Sequence, residues 1–273
     1  MSERPIGVYD SGVGGLTVVR ELLGRAPGES FIYLGDTARF PYGDKSPAEL
    51  KAFARQAALF LDGVKHLIIA CNTASAYGLE AARSVNPAPV TGVIHAGARA
   101  AAAVTRTGPI GVIATTATTR SQAYLLALRE AGHRGPVHSL ACPRLVSLVE
   151  AGGAQSDAAV AVAGEELAPL RGLRLAGLIL GCSHLPFVEE PIAAAFGEQV
   201  ALIDPAEATV AEVLGTLAQY GELAPGRQGQ GRFYVSKDPE AFARAGGPLL
   251  GRPITGVTLM AWNEEGGGHG QPT

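Results

Sequence analysis

The chain has 273 residues, room for one large domain or two modest ones, and its 47% apolar and 17% charged composition excludes global disorder. Twenty-two basic against 25 acidic side chains leave a net charge of −3, which gives no field to draw a polyanion and excludes nucleic acid as an expected partner. Three cysteines set up no disulfide framework and fit a reducing, cytoplasmic compartment, and with no signal-like start and no apolar run near ~18 residues, neither export nor a membrane partner is expected.

In chain order, Pro5–Tyr9 reads as a strand ending at Asp10. Gly14–Gly24 follows as an amphipathic helix, with Leu16, Val19 and Leu22/Leu23 on one face. Phe31–Leu34 is a second strand, ending at Asp36. Pro47–Gly63 is helical, with Ser46 as N-cap and Pro47 at N1. Leu67–Ala70 is a third strand and ends at Cys71. Val90–Ile94, Ile110–Ala114, Val137–Leu140, Leu178–Leu180 and Val200–Ile203 follow as strands, with helices between most of them. Such alternation predicts mainly parallel α/β sheets.

A weak internal repeat sharpens this. IGVYDSGVGGLTVVREL (6–22) resembles IGVIATTATTRSQAYLLAL (110–128), and LIIACNTASA (67–76) resembles LILGCSHLPF (178–187). Cys71 lies 61 residues after Asp10, and Cys182 lies 67 after Thr115. The repeat predicts two similar, doubly wound α/β domains related by a pseudo-twofold axis and facing each other across a cleft. The expected division is 1–96 plus 205–265 for the first, 97–204 for the second, and a mobile tail over 266–273. Ligands of open α/β sheets bind outside the carboxyl ends of strands, where both cysteine turns fall.

The turn Asp10-Ser11-Gly12-Val13-Gly14-Gly15 invites a dinucleotide reading, with Asp36 closing the next strand. Thr17 stands where the third glycine belongs, no Gly-Lys-Ser/Thr is present, and Asp10 would oppose a pyrophosphate. Cys71-Asn72-Thr73 and Cys182-Ser183-His184 are paired strand-end turns. A single buried cysteine is ordinarily a small hydrophobe. Two at equivalent positions, one with an imidazole two residues on, point to thiols that move protons from two faces. A zinc site from Cys71, Cys142, Cys182 and His184 has no compact spacing, so no metal is expected, and Cys142 is read as structural. Thr115, Thr116, Thr118, Thr119 and Ser121 open a helix, either as ordinary caps or as a carboxylate site. Lys45, Lys51, Lys65 and Lys237 all lie outside these turns, which disfavours a pyridoxal phosphate Schiff base. His66, His95, His133, His138 and His269 have no assignable partner.

The stretches DSGVGG (10–15), GDTARFPYG (35–43), CNTASA (71–76), GVIATTATTRS (111–121) and GCSHLPF (181–187), in this order and spacing, resemble the glutamate racemases. The resemblance implies interconversion of L- and D-glutamate without a cofactor, supply of D-glutamate for peptidoglycan, and a homodimer with its site between two domains. Cys182 would then take the proton from L-glutamate while Cys71 protonates the opposite face. Asp10 would assist Cys71, and His184 would assist Cys182. Ser11, Tyr42, Gly43, Asn72, Thr73, Ser183 and His184 match substrate-binding positions, and Thr115, Thr118 and Glu150 look like further cleft residues. Ser183 replaces the usual threonine, Leu185 the usual tyrosine, and His95-Ala96 departs from the family pattern. An aspartate racemase or related isomerase, and a non-catalytic amino-acid-binding protein, are the alternatives.

Overall fold

A computed structural model describes residues 2–197, 200–226 and 228–262, together with the backbone of 268–269. Ten strands form two parallel sheets. The first comprises β1 (Ile6–Asp10), β2 (Phe31–Gly35), β3 (His66–Ile69), β4 (Val90–Gly92), β9 (Gly231–Val235) and β10 (Val257–Leu259), in the order β10-β9-β2-β1-β3-β4. The second holds β5 (Ile110–Ala114), β6 (Val137–Ala141), β7 (Gly177–Gly181) and β8 (Ala201–Ile203), in the order β6-β5-β7-β8. The repeat is therefore a repeat of topology: β1 lies between β2 and β3 as β5 lies between β6 and β7.

Side chains along each strand serve opposite layers, because successive Cβ atoms point to opposite faces. Ile6 and Val8 join one core with Phe31 and Tyr33, under the helices Leu16–Arg25, Pro205–Gln219 and Pro239–Leu250. Tyr9 joins the other with Ile32 and Leu34, under Pro47–Phe60 and Asn72–Arg83. The second sheet is wound likewise, Ile113 facing one core and Ile110 and Val112 the other. Parallel strands covered on both faces require continuous apolar runs, which is how β1, β3, β5 and β7 read in the sequence. The Ser46 cap is a full capping box: Ser46 Oγ accepts from the Glu49 amide at 3.3 Å, and Glu49 Oε2 accepts from the Ser46 amide at 2.9 Å.

One expectation is corrected. The run Val90–Ile94 is a strand only to Gly92, and a helix begins at Val93. The Val93 amide donates to Ser75 Oγ at 3.3 Å, so the helix start is served by a side chain distant in sequence. Gly97 sits in that helix, Val93–Val104, facing Pro205, where an added Cβ would be 2.9 Å from Pro205 Cβ. The return of the chain after Asp204 contributes β9 beside β2 and β10 beside β9, two strands that were not read from the sequence. The expected tail lies outside the described residues except for Gly268–His269, which pairs antiparallel with Ala261–Trp262. No helix among the described residues is long and apolar enough to cross a membrane.

Three of the histidines left unpartnered have partners: His66 bonds Thr91 Oγ1 at 2.8 Å, His133 the Thr105 carbonyl at 3.1 Å, and His95 faces Glu130 at 3.4 Å. Burial pushes His66 down to about 4, and its Nδ1 has no hydrogen-bond partner. A histidine that resists charging in the folded state costs stability as pH falls, here from 6.5 toward about 4. Between pH 7 and 4.5 the native chain should lose on the order of 2 kcal/mol more unfolding free energy than His66→Gln. Urea titrations of both proteins at both pH values check this, and equal losses contradict it.

Candidate active site

The carboxyl ends of β1, β3, β5 and β7 converge. Each hands the chain to a polar turn: Asp10-Ser11, Cys71-Asn72, Thr115-Thr116 and Cys182-Ser183. Between them lies a small cavity of about 70 Å³, space for several waters or one small molecule. Ser11, Tyr42, Gly43, Cys71, Asn72, Thr73, Thr115, Cys182, Ser183 and His184 all line it. Asp10, Thr118 and Glu150 stand one bond behind the wall. Asp10 holds Ser183, Thr118 holds Thr73 and Thr115, and Glu150 holds His184. Thr116, named with the hydroxyl cluster, also lines the cavity, while sequence reasoning missed Phe40, Asp44, Pro143, Val146 and Ser147. The signal for the last three was helical spacing, since Pro143, Val146, Ser147 and Glu150 share one face of Pro143–Glu150.

The thiols have unlike surroundings. Cys71 precedes the first turn of Asn72–Arg83 and donates to Ser11 Oγ at 3.6 Å. Burial and the nearby Asp10 carboxylate push it up to about 12, against the pull of the Ala74 amide and Ser11, so this thiol is held protonated. Cys182 Sγ lies 3.7 Å from His184 Nδ1, and His184 Nε2 lies 2.5 Å from Glu150 Oε2. Burial pulls His184 down, but its bonds to Cys182 and Glu150 pull harder, and the ring is raised well above its ordinary value. The cavity thus carries a protonated thiol at Cys71 and, at Cys182, a thiol 3.7 Å from an imidazole that is itself held charged.

Asp10 is fully buried, and its carboxylate is raised by burial and by Glu150, against the pull of His184, Gly12 and Ser183. Its Oδ1 accepts from the Gly12 amide and its Oδ2 from Ser183 Oγ, both at 2.9 Å. Its hydrogen bonds therefore reach across to the Cys182 turn, while its effect on Cys71 is electrostatic. The same carboxylate occupies the amide that a pyrophosphate would need, which removes the dinucleotide reading. The glycines serve approach rather than phosphate: a Cβ at Gly12 would fall 2.6 Å from Glu150 Oε1, and one at Gly14 would fall 2.5 Å from His184 Nδ1. Thr115 both caps its helix, accepting from the Thr118 amide at 3.1 Å, and meets Thr73 Oγ1 across the cleft at 2.8 Å.

Residues 18–213 match the model of the Asp/Glu/Hydantoin racemase family. The chain is 43% identical to a glutamate racemase of Geobacter metallireducens, over 97% of this chain and 99% of that one. The chain belongs to the glutamate racemase family. A solved glutamate racemase of Bacillus anthracis superposes with a TM-score of 0.90 at 39% identity, covering 95% of this chain and 98% of the other. One from Francisella tularensis, solved in complex with D-glutamate, does so at 0.87 and 38%, with the same coverage.

In this racemase the third cysteine stays apart: Cys142 is fully buried, does not line the cavity, and is pushed up by burial, then by Glu166 and Cys182. No cluster of three or more potential metal ligands occurs among the described residues. Lys65 is consumed in a buried ion pair with Glu29, far from the role of a Schiff-base lysine. Tyr42 lines the cavity. Its hydroxyl turns inward, donating to Asp36 Oδ2 at 2.5 Å and meeting Tyr9 Oη at 2.6 Å. Asp36 also takes Ser236 Oγ at 2.8 Å and Trp262 Nε1 at 2.7 Å on Oδ1. Neither partner was legible locally, since both arrive from more than 190 residues on. Tyr42→Phe strips one donor from a fully buried carboxylate and should destabilise the racemase by about 1–3 kcal/mol. Denaturant unfolding measures it, and a variant as stable as the parent would show that the remaining donors suffice.

Proposed function

We propose that this chain interconverts L- and D-glutamate by a two-base mechanism that needs no cofactor, with Cys182 and Cys71 working on opposite faces of the substrate Cα. One observation carries the reading: two thiols, delivered by equivalent turns of two sheets, line one small cavity, each with its own partner. Removing a Cα proton without an electron sink demands a placed base, a placed acid and donors for the developing charge. Cys182 as thiolate takes the proton of L-glutamate, and Cys71 gives its own to the other face. Cys182 then holds the proton and Cys71 is the thiolate, which is the form required for D-glutamate. His184 and Glu150 balance the charge on the Cys182 side. The Asn72 and Thr73 amides at a helix start, with the hydroxyls of Ser11 and Thr73, supply donors to the carboxylates, while Ser183 spends its proton on Asp10.

The same reading gives the product a use as D-glutamate for peptidoglycan. It also places a homodimer in the cytoplasm, where three free cysteines are at home. The test is circular dichroism of L-glutamate with the purified, reduced protein and no added cofactor, with L-aspartate in parallel. Loss of signal with glutamate alone is expected. Loss with aspartate alone moves the substrate, and no loss with either overturns the enzyme reading.

A further inference from the structure

Tyr124 belongs to the second sheet's layer and does not line the cavity, yet it touches both thiol turns. Its ring lies on the backbone of Gly181, where an added Cβ would come within 2.9 Å of Tyr124 Cε2. The next residue is Cys182. Its hydroxyl crosses to the first sheet's side and donates to Asn72 Oδ1 at 2.5 Å. The preceding residue there is Cys71. Both Tyr124 and Asn72 are 3% exposed, so water does not compete for this bond.

An asparagine amide has an acceptor end and a donor end. With Oδ1 held by Tyr124, the NH₂ end is what Asn72 has left for the cavity it lines. A substrate carboxylate only accepts, so the opposite amide orientation would set oxygen against oxygen. We propose that Tyr124 is a positioning residue for racemisation, which orients the Asn72 amide toward a substrate carboxylate and keeps it in register with the Cys182 turn. The proposal rests on the reading of the cavity as a glutamate site. Tyr124 suits the task because burial, followed by Asp204 and Cys182, raises its hydroxyl well above 10, so it remains a donor throughout the working range.

The experiment is steady-state racemisation by the full chain, followed by circular dichroism from both enantiomers. Four proteins are compared: wild type, Tyr124→Phe, Asn72→Ala and the double variant. Tyr124→Phe deletes one hydroxyl and keeps the ring on Gly181, so the fold is retained, and a melting curve records this. It should raise KM for both enantiomers about tenfold and leave kcat within about twofold, because a hydrogen bond to the charged substrate is lost and no proton-transfer group is touched. The double variant should show the KM of Asn72→Ala alone, since Tyr124 acts through that amide. An unchanged KM in Tyr124→Phe, a fall in kcat alone, or effects that multiply in the double variant would each overturn the proposal. Failure of the underlying reading is distinguishable, because it shows as a wild-type chain without activity on glutamate.

Discussion

Cys71→Ser and Cys182→Ser should each lower racemisation by at least about 10³-fold in both directions. Serine keeps the size and the hydrogen bond but is far too weak an acid to exchange a proton with Cα. The loss is symmetrical because each turnover uses both groups, one to take a proton and one to give it. Neither change should unfold the chain, since both side chains line the cavity and each has a polar partner, Ser11 for Cys71 and His184 for Cys182, that a hydroxyl can use. Cys142→Ser is the control: it should keep turnover while losing stability, because its hydroxyl enters an apolar cluster around Leu145 and Val149. Circular dichroism rates on the three reduced proteins decide the matter. Full activity in either of the first two variants would sink the two-base mechanism.

Gly14→Ala should be nearly as damaging without touching a reacting group. The added methyl would lie 2.5 Å from His184 Nδ1 and also against Ser183 Oγ. His184 cannot retreat freely, because Glu150 holds its other nitrogen. The Cys182 turn must therefore shift by something near an ångström, and a displacement of that size costs about 10²-fold in kcat/KM. Stability should fall by about 1–3 kcal/mol through overpacking. Gly24→Ala is the matched comparison: nothing lies within 4 Å of its added carbon, and it should gain a few tenths to about 1 kcal/mol of stability at full activity. Wild-type kcat/KM in Gly14→Ala would show that the two halves of the site tolerate a wider separation than the structure has.

Much of the fold was legible because parallel strands buried on both sides announce themselves as apolar runs. Ile110–Ala114 was read to the residue, and β1, β2, β3 and β7 to within one residue at either end. The repeat made the second sheet readable from the first. What was not legible depends on partners far along the chain. The helix at Val93 begins inside an apolar run because Ser75 caps it from elsewhere. β9 is exposed at Gly231 and Arg232, so it lacks the fully apolar pattern of its neighbours. In the site, the thiols and hydroxyls could be found from the repeat, since equivalent strands end in equivalent turns. The carboxylates were harder. Asp10 pairs with Ser183 across the cleft, a contact that no spacing within either turn encodes.

The end of the chain has a practical consequence. Trp262 is the single tryptophan of the sequence. It donates to Asp36, the carboxylate that anchors the Tyr42 hydroxyl, and its ring lies 4.4 Å from the Arg39 guanidinium. Indole emission responds to a neighbouring charge and to a lost hydrogen bond. The protein thus carries a native fluorophore wired to one wall of the cavity, and with no competing tryptophan the whole indole signal comes from that place. Ligand titrations that move the 40–43 loop therefore have an optical readout built in, with no label to attach and no residue to replace.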